Sequence, residues 1–344
     1  MSLRARAIAA HALARYWYRR TAISWLLWPA SLVFRAAVFA RRLSYRLGLL
    51  KRARAGIPVI VVGNLVAGGS GKTPLVLWLA EFLKGKGWVP GLVSRGYGSA
   101  AQAAREVSIA SDPAEMGDEP VVLARRSGCP VWVGARRAAV ARALRACHPE
   151  VNVLVLDDGL QHYRLARDIE VAVVDARGFG NGFMLPAGPL REPASRLRSV
   201  DAVVAHGIGP DALPRQAGRR PAFAMALEGD RLHCLADARD RRPASAFSGQ
   251  RVHAVAGIGD PNRFFLHLGR LGLKVVPHPF PDHHAFRAAE LEFGDDAPVV
   301  MTEKDAVKCR RFAKPSHWVL PVRAALDPAF GDWLLKRLGG PKTA

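Results

Sequence analysis

The chain has 344 residues, half of them apolar, so it can bury a sizeable core and is long enough for about two domains. Its formal net charge of +21 indicates an anionic partner, either nucleic acid or an anionic membrane. The four cysteines are widely scattered and form no Cys-x-x-Cys pair, which favours reduced thiols in a cytosolic setting and argues against a cysteine zinc site.

Much of the positive charge lies in residues 1–55, which contain eleven Arg, one Lys and no acidic residue. This arm also holds an apolar run over 22–34 that is rich in tryptophan and leucine. Pro29 and Arg35 interrupt the run, which is too short to span a bilayer comfortably. Tryptophans at headgroup depth and arginines on anionic lipid are typical of an interfacial helix, so we predict a basic amphipathic membrane-docking arm over 1–55.

Three other interpretations of this arm stay open. A core helix with a solvated basic face has the same apolar spacing. A cleaved signal peptide would carry the nucleotide site that follows it out of the cytosol, where ATP is found. An organellar transit peptide is also basic and poor in acidic residues.

Residues 57–74 have the order strand, phosphate loop, helix. A β-branched apolar run as far as Gly63 predicts a buried parallel strand, and an apolar segment of helical period covers 75–82. Glycines between them let successive backbone N–H groups and the positive end of the helix point at one anion; they are Gly68, Gly69 and Gly71. The stretch therefore predicts a nucleoside triphosphate site, rather than a glycine-rich turn that only reverses the chain.

Two side chains at the start of this helix suit the same ligand. Lys72 is placed to reach the β- and γ-phosphates, and Thr73 to hold Mg²⁺. The standard pattern has a glycine five residues before Gly71, where this chain has Val66. This departure weakens the pattern match without changing the chemistry.

Polar side chains follow the next predicted strands. Val89 to Val93 leads to Arg95 between glycines, at the edge of an open sheet where ligands bind, although a plain turn fits equally well. Asp118 and Glu119 stand near a helix start, where carboxylates can simply be caps.

The apolar strand Val151 to Leu156 runs directly into Asp157-Asp158-Gly159. This is a Walker B ending, in which a buried strand delivers a carboxylate beside the phosphate loop to orient Mg²⁺ or its water. A turn-forming Asp-Asp-Gly is the alternative. Spacing does not decide which of Asp157 and Asp158 would hold the metal.

The remaining chain indicates a second, smaller α/β domain. A long Gly- and Pro-rich loop over 180–193 carries Arg191, which could meet an anionic substrate. A hairpin is predicted over 222–236. We therefore expect a nucleotide domain over 56–221, a hairpin linker over 222–245 and the smaller domain over 246–344.

Two motifs in the smaller domain resemble other sites but do not match them. Asp282-His283-His284 could suggest a metal, but adjacent histidines rarely point at one ion and no further ligand set is evident. Thr302-Glu303-Lys304-Asp305 is not the Asn-Lys-x-Asp guanine reader of GTPases, because Glu303 stands where the lysine should be.

Taken in order, these motifs resemble the tetraacyldisaccharide 4'-kinase family, the lipid A 4'-kinases of Gram-negative bacteria. The resemblance runs from about Pro58 to Lys308. It rests on the stretches Val62 to Asn64, Gly68 to Pro74, Ser94 to Gly98, Gly117 to Pro120, Asp157 to His162, Leu185 to Pro193, Phe280 to His284 and Thr302 to Asp305. This family also lacks the glycine that Val66 replaces, so Val66 is no departure within it.

The resemblance implies an ATP-dependent lipid kinase that transfers the γ-phosphate to the 4'-hydroxyl of a tetraacyl glucosamine disaccharide 1-phosphate. The implied fold is α/β, with a P-loop NTPase-type parallel sheet domain, a smaller second α/β domain and an N-terminal amphipathic membrane helix. The implied cofactors are ATP and Mg²⁺, and the implied partners are the anionic lipid and the cytoplasmic face of the bacterial inner membrane. No nucleic acid or obligate protein partner is expected.

The resemblance also implies site residues. The nucleotide-binding set is Gly68, Gly69, Ser70, Gly71, Lys72 and Thr73, and the metal set is Thr73, Asp157 and Asp158. The substrate-binding set is Arg95, Tyr97, Glu119, His162 and Arg191. Our own hypothesis for catalysis adds two residues to Lys72: Asp118 is the base, because magnesium would occupy Asp157 and Asp158, and His283 is its partner, with His284 and His162 as the alternatives.

Two functions from other classes compete with this one. A switch ATPase of the partition or targeting type has a similar loop, but usually carries a signature lysine where this chain has Ala67. A nucleic-acid-binding protein would explain the charge, yet no aromatic-basic recognition motif is present and the basic residues cluster with Trp and Leu.

Overall fold

The β-strands form two separate sheets. The structure is a computed structural model that describes residues 16–96 and 103–340. The large sheet has the strand order β15-β8-β7-β6-β1-β5-β2-β4-β3. Its strands are β1 Val59–Gly63, β2 Pro90–Ser94, β3 Arg105–Glu106, β4 Val131–Val133, β5 Val153–Leu156, β6 Ile169–Asp175, β7 Ala202–His206, β8 Ala222–Glu228 and β15 Arg323–Leu326. All are parallel except β3 and β15 at the two edges.

The small sheet has the order β10-β9-β14-β13-β11-β12. Its strands are β9 Arg231–Cys234, β10 Arg241–Pro243, β11 Arg251–Ala256, β12 Lys274–Pro279, β13 Val299–Thr302 and β14 His317–Leu320. β11 to β14 are parallel, and β9 and β10 are antiparallel. Two α/β units are therefore present, as the sequence predicted.

The α-helices cover the faces of these sheets. They are α1 Ala22–Arg46, α2 Lys72–Gly85, α3 Pro113–Met116, α4 Asp118–Ser127, α5 Arg137–Cys147, α6 Pro261–Arg270, α7 Glu303–Cys309 and α8 Pro328–Leu338. The central strands of the large sheet are buried on both faces, with one apolar cluster against α2, α4 and α8 and another against α5 and part of α1. Strands buried on both faces are continuous apolar runs, which is why the sequence made them easy to find.

The predicted hairpin over 222–236 is wrong. β8 pairs with β7 and β15 in the large sheet, whereas β9 pairs with β10 and β14 in the small sheet. The chain crosses between the sheets at Gly229, where an added Cβ would lie 2.3 Å from the carbonyl oxygen of Pro321. The sequence pattern was misleading because apolar and polar residues alternate in both segments, as they do in a hairpin. The strands that pair with each segment lie elsewhere in the sequence.

The chain also returns to the large sheet near its end. β15 follows the second crossing at Pro321, and α8 then packs on α2, with Phe330 against Trp78. Gly331 lies so close to Phe82 that an added Cβ would come within 2.7 Å of its ring. We therefore infer that the smaller domain is an insertion over about 230–321, and that residues 323–340 belong with the nucleotide domain.

Helix α1 is continuous over 25 residues. Pro29 lies inside it and does not end it. The expected interruption of the apolar run is therefore wrong. This helix is long and apolar enough to cross a membrane, and only 11% of its most apolar window is buried. It buries Ser24 and Ser31 and turns large apolar side chains outward.

Candidate functional site

The phosphate loop lies between β1 and α2, and its shape requires glycine. Gly68 and Gly71 have φ values of 100° and 91°, which side-chain-bearing residues rarely adopt. A Cβ on Gly71 would also come within 2.5 Å of the imidazole of His206. The loop therefore brings its backbone and the N-terminus of α2 to one place, as an anion site needs.

Neighbouring side chains hold this loop through its backbone carbonyl groups. Arg177 donates to the carbonyl of Gly69 and forms an ion pair with Asp175 at 2.7 Å. The imidazole Nδ1 of His206 lies 2.8 Å from the carbonyl of Ser70. The smaller domain also reaches the loop, since a Cβ on Gly259 would lie 2.6 Å from the nitrogen of Gly69.

Asp157 and Asp158 follow β5 and face the start of α2. Asp158 is ion-paired with Arg191 at 2.7 Å and with Lys72 at 3.6 Å, and its φ of 51° lies in the left-handed region. Asp157 is 1% exposed, and neither of its carboxylate oxygens has a hydrogen-bond partner in the described part of the chain. The two adjacent carboxylates are therefore in different states.

Their pKa values separate accordingly. Burial and then the charge of Glu119 raise the pKa of Asp157 to about 7. Burial also opposes ionisation of Asp158, but the charges of Lys72 and Arg191 outweigh it and hold its pKa well below the usual range. Asp158 is thus a fixed anion, whereas Asp157 forms no ion pair with a described residue.

Asp118, at the start of α4, meets a histidine from the smaller domain. The Nδ1 atom of His283 lies 2.9 and 3.0 Å from the two carboxylate oxygens of Asp118, although 165 residues separate them. His283 follows β12 in a left-handed conformation, with φ 60°. His284 points instead to Glu290, at 3.0 Å. The structure therefore brings His283, and not His284 or His162, to Asp118.

Helix α7 supplies the other charges opposite α4. Lys304 forms an ion pair with Glu119, and Lys308 lies 3.8 Å from Asp118 and 2.9 Å from the buried Asp305. Burial disfavours ionisation of Asp118, but His283 and the two lysines together hold its pKa well below the usual range. Asp118 is therefore a carboxylate throughout the physiological pH range.

The predicted substrate residues that the structure describes differ in their surroundings. Arg95 is exposed after β2, and Tyr97 lies outside the described residues. Burial, followed by the charges of Arg137 and Arg95, lowers the pKa of His162 to about 3, so its imidazole is neutral. Glu119 is engaged by Lys304, as described above.

Hydrogen bonds of the neighbouring residues fix His162 and Arg191 relative to each other. The Gln161 amide donates to the carbonyl of Asn64 at 3.1 Å and to the carboxylate of Glu192 at 3.3 Å. Glu192 also accepts from the hydroxyl of Tyr163. Because His162 and Arg191 are the chain neighbours of these residues, their backbones are tied to the phosphate loop.

Sequence reasoning missed several members of this site. Lys304 and Lys308 stand four residues apart on α7, a spacing that puts both on one face of a helix and was available as a signal. Arg177 follows the strand-ending Asp175 by two residues. His206 and Arg137 carried no recognisable pattern.

The chain is similar to one family of known proteins over almost its whole length. A family model for tetraacyldisaccharide-1-P 4'-kinase matches residues 23–339. The tetraacyldisaccharide 4'-kinase of Azoarcus sp. (strain BH72) is 52% identical over 323 residues, 94% of each chain. That of Dechloromonas aromatica (strain RCB) is 49% identical over 336 residues, 96% of this chain and 98% of that one.

A solved structure is similar over almost the same span. LpxK from Aquifex aeolicus, crystallised in complex with ATP, superposes with a TM-score of 0.76 and is 28% identical. The match covers 92% of this chain and 99% of that chain. The similarity therefore includes both sheets.

The Asp118–His283 contact predicts an unusual titration. Burial opposes protonation of His283, but the hydrogen bond and charge of Asp118 outweigh it and raise the pKa of the imidazole. In Asp118→Asn we expect the pKa of His283 to fall below about 6.5, the value of a free histidine, because burial is then less opposed. An NMR titration of the imidazole C–H signals measures both values.

The sign of the accompanying stability effect follows from the raised pKa. The contribution of the pair to the free energy of unfolding is complete below about pH 6.5 and is lost as the pH rises through the pKa of the folded state. Asp332→Asn, the same change at an exposed position, serves as the control. An unchanged pKa of His283 in Asp118→Asn would contradict the expectation.

Proposed function

The chain belongs to the tetraacyldisaccharide-1-P 4'-kinase family, and we propose that it performs the family's reaction in a site assembled from both of its sheets. It is an ATP-dependent lipid kinase that phosphorylates the 4'-hydroxyl of a tetraacyldisaccharide 1-phosphate in lipid A biosynthesis. The observation that carries the proposed site is the contact between Asp118 and His283. It joins the two sheets beside the phosphate loop.

ATP is bound through the phosphate loop in this proposal. Backbone N–H groups of 68–73 and the N-terminus of α2 receive the phosphates, and Lys72 neutralises the β- and γ-phosphate oxygens. Lys72 is 7% exposed and already oriented by Asp158. Phosphoryl transfer depends mainly on such positioning and charge stabilisation, because little covalent chemistry is left for the protein.

The residues beside the loop fit Mg²⁺. This ion takes oxygen ligands and is usually held by one or two carboxylates together with substrate phosphates. The unpartnered oxygens of Asp157 and the buried hydroxyl-bearing Thr73 meet that requirement, whereas Asp158 is occupied by Lys72 and Arg191. We therefore assign Asp157 and Thr73 to the metal, which when bound neutralises charge on the β- and γ-phosphates.

Asp118 is the base in the proposed mechanism. The 4'-hydroxyl is a poor nucleophile and must lose its proton as the bond to phosphorus forms. The ionised carboxylate of Asp118 is buried and aimed from the start of α4, so that it orients the hydroxyl and accepts its proton. His283 donates through Nδ1 to that carboxylate and holds it in place.

Label transfer tests this function. Purified protein, γ-labelled ATP and a lipid fraction containing the disaccharide acceptor should yield labelled lipid. We expect Lys72→Ala to lower kcat by about 100-fold or more, since it removes a charge that stabilises the transferred group. Thr73→Ala should act in the same direction, with both variants folded by circular dichroism.

Lys86→Ala is the matched control, because Lys86 is an exposed lysine just beyond the other end of α2. It should keep the wild-type rate. Failure of the wild-type protein to label any lipid, or a near-normal rate in Lys72→Ala, would refute the proposal.

The surface of α1 supports docking on the cytoplasmic face of the inner membrane. Its small polar residues face the protein: Ser31 donates to the carbonyl of Met184 at 2.9 Å and accepts from Ala187 at 3.0 Å. Its large apolar residues face outward, with Leu26 80% and Val33 72% exposed. Exposed apolar faces of this kind mark protein or membrane interaction sites, and the adjacent arginines suit the anionic headgroups of a membrane.

Charged substitutions on this face should release the protein from lipid. We expect wild-type protein to sediment with vesicles containing phosphatidylglycerol, and Leu26→Glu together with Val33→Glu to leave it in the supernatant with ATP binding unchanged. Leu266→Glu, on α6 and 63% exposed, is the control and should sediment normally. Normal sedimentation of the double variant would show that α1 is not the docking surface.

A further inference from the structure

Asp305, on α7, is a completely buried carboxylate that the proposed mechanism does not use. It ends the stretch Thr302 to Asp305 and is 0% exposed. Thr302 caps the helix by accepting from the backbone nitrogen of Asp305 at 3.3 Å, and its hydroxyl donates back to Oδ2 of Asp305 at 2.6 Å. A helix cap needs only the first of these bonds. The second bond and the burial of the carboxylate therefore indicate a further role.

One oxygen of Asp305 holds the turn between β11 and α6. The backbone nitrogen of Gly257 donates to Oδ2 at 3.0 Å. Helix α7 lies so close to this turn that a Cβ on Gly257 would come within 3.0 Å of Oδ1. Asp305 therefore fixes the point at which residues 257–260 leave the strand.

This turn lies against the phosphate loop. A Cβ on Gly259 would lie 2.6 Å from the backbone nitrogen of Gly69, and a Cβ on Gly69 would lie 3.8 Å from the nitrogen of Gly259. No hydrogen bond joins residues 257–260 to residues 66–71 in the described chain. Because the turn and the loop meet only by close packing, their distance depends on the bond from Gly257 to Asp305.

The other oxygen of Asp305 holds a lysine beside the proposed base. Lys308 donates to Oδ1 at 2.9 Å and lies 3.8 Å from the carboxylate of Asp118. The ammonium group of a lysine stands on a flexible stem, so the buried carboxylate beside it determines where its charge lies. Asp305 thus contacts both the turn at the phosphate loop and the lysine beside Asp118.

We propose that Asp305 is a positioning residue for both the phosphate loop and the base. Through Gly257 it sets the distance between the turn 257–260 and Gly69, and through Lys308 it sets the position of a positive charge beside Asp118. Because it is completely buried, Asp305 itself touches neither nucleotide nor acceptor. This inference rests on the proposed function, in which the loop binds ATP and Asp118 is the base.

Substitutions of Asp305 should separate the two contacts. In Asp305→Asn the amide oxygen still accepts from Gly257 and Thr302, but the NH₂ group faces Lys308 and cannot accept a hydrogen bond. We expect ATP affinity, measured by equilibrium binding without acceptor, to stay at the wild-type value while kcat falls about 10-fold, the loss of one hydrogen bond to a charged group. Asp305→Ala removes both contacts, so ATP affinity should also fall, by about 10-fold.

Gly259→Ala tests the contact with the phosphate loop from the other side. Gly259 is exposed, so the variant should fold, but its methyl group would overlap the nitrogen of Gly69 and push the turn away from the loop. We expect ATP affinity to fall about as far as in Asp305→Ala. Adding Asp305→Ala should then cause little further loss, since both changes act on one contact.

Phe247→Ala is the matched control for stability. Phe247 is buried against Trp318 in an apolar cluster of the smaller domain that contains no residue of α7. The substitution should lower the Tm, as large-to-small changes in a core do, and leave ATP affinity unchanged.

The proposal is overturned if Asp305→Ala lowers the Tm but keeps wild-type ATP affinity, as a purely structural carboxylate would, or if its loss adds fully to that of Gly259→Ala. If Asp305→Ala does not fold, a wild-type kcat in Asp305→Asn or wild-type ATP affinity in Gly259→Ala contradicts the proposal. ATP binding needs no acceptor. It therefore still tests Asp305 if the wild-type protein labels no lipid, a result that would refute the proposed function instead.

Discussion

The site depends on charged contacts between helix α4, which packs on the large sheet, and the smaller domain, which contains helix α7. Asp118 of helix α4 contacts His283 and Lys308 of the smaller domain. Glu119, also on α4, forms an ion pair with Lys304 of α7. Arg126 and Glu303 extend the same interface in the opposite sense, at 2.6 Å. In the described chain, two crossings join the sheets covalently, at Gly229 and Pro321, and they lie against each other. The non-covalent contact therefore fixes how the smaller domain meets the phosphate loop.

Charge separation explains why neighbouring carboxylates can have different roles. Asp118 and Asp158 are each held ionised by cations, whereas Asp157 is buried without an ion pair to a described residue and its pKa rises to about 7. Neither Arg137 nor Arg95 forms an ion pair with a described residue, although Asp157 and Asp158 attract Arg137. An anionic phosphate between the two sets and a cation at Asp157 would complete the charge pattern.

The sequence predicted those parts of the site that local patterns encode. The phosphate loop, the strand ending at Asp157 and the α/β class all follow from apolar runs and from residues at their ends. Long-range pairing was beyond such patterns: β8 and β9 are adjacent in sequence but lie in different sheets, and β15 returns from the end of the chain. Arg137 escaped notice because a lone arginine at a helix start has no distinctive spacing. Its burial, and the lack of a described partner for its Nε and Nη2 atoms, are visible only in the packed structure.

In the proposed mechanism, Asp118 and His283 act as one unit assembled across the two domains. A double-mutant cycle with Asp118→Ala, His283→Ala and both together, measured as kcat with lipid acceptor, tests it most directly. Coupled residues predict that the double variant is hardly slower than either single variant, with the KM for ATP little changed. Fully additive losses, or a near-normal rate in Asp118→Ala, would contradict the account.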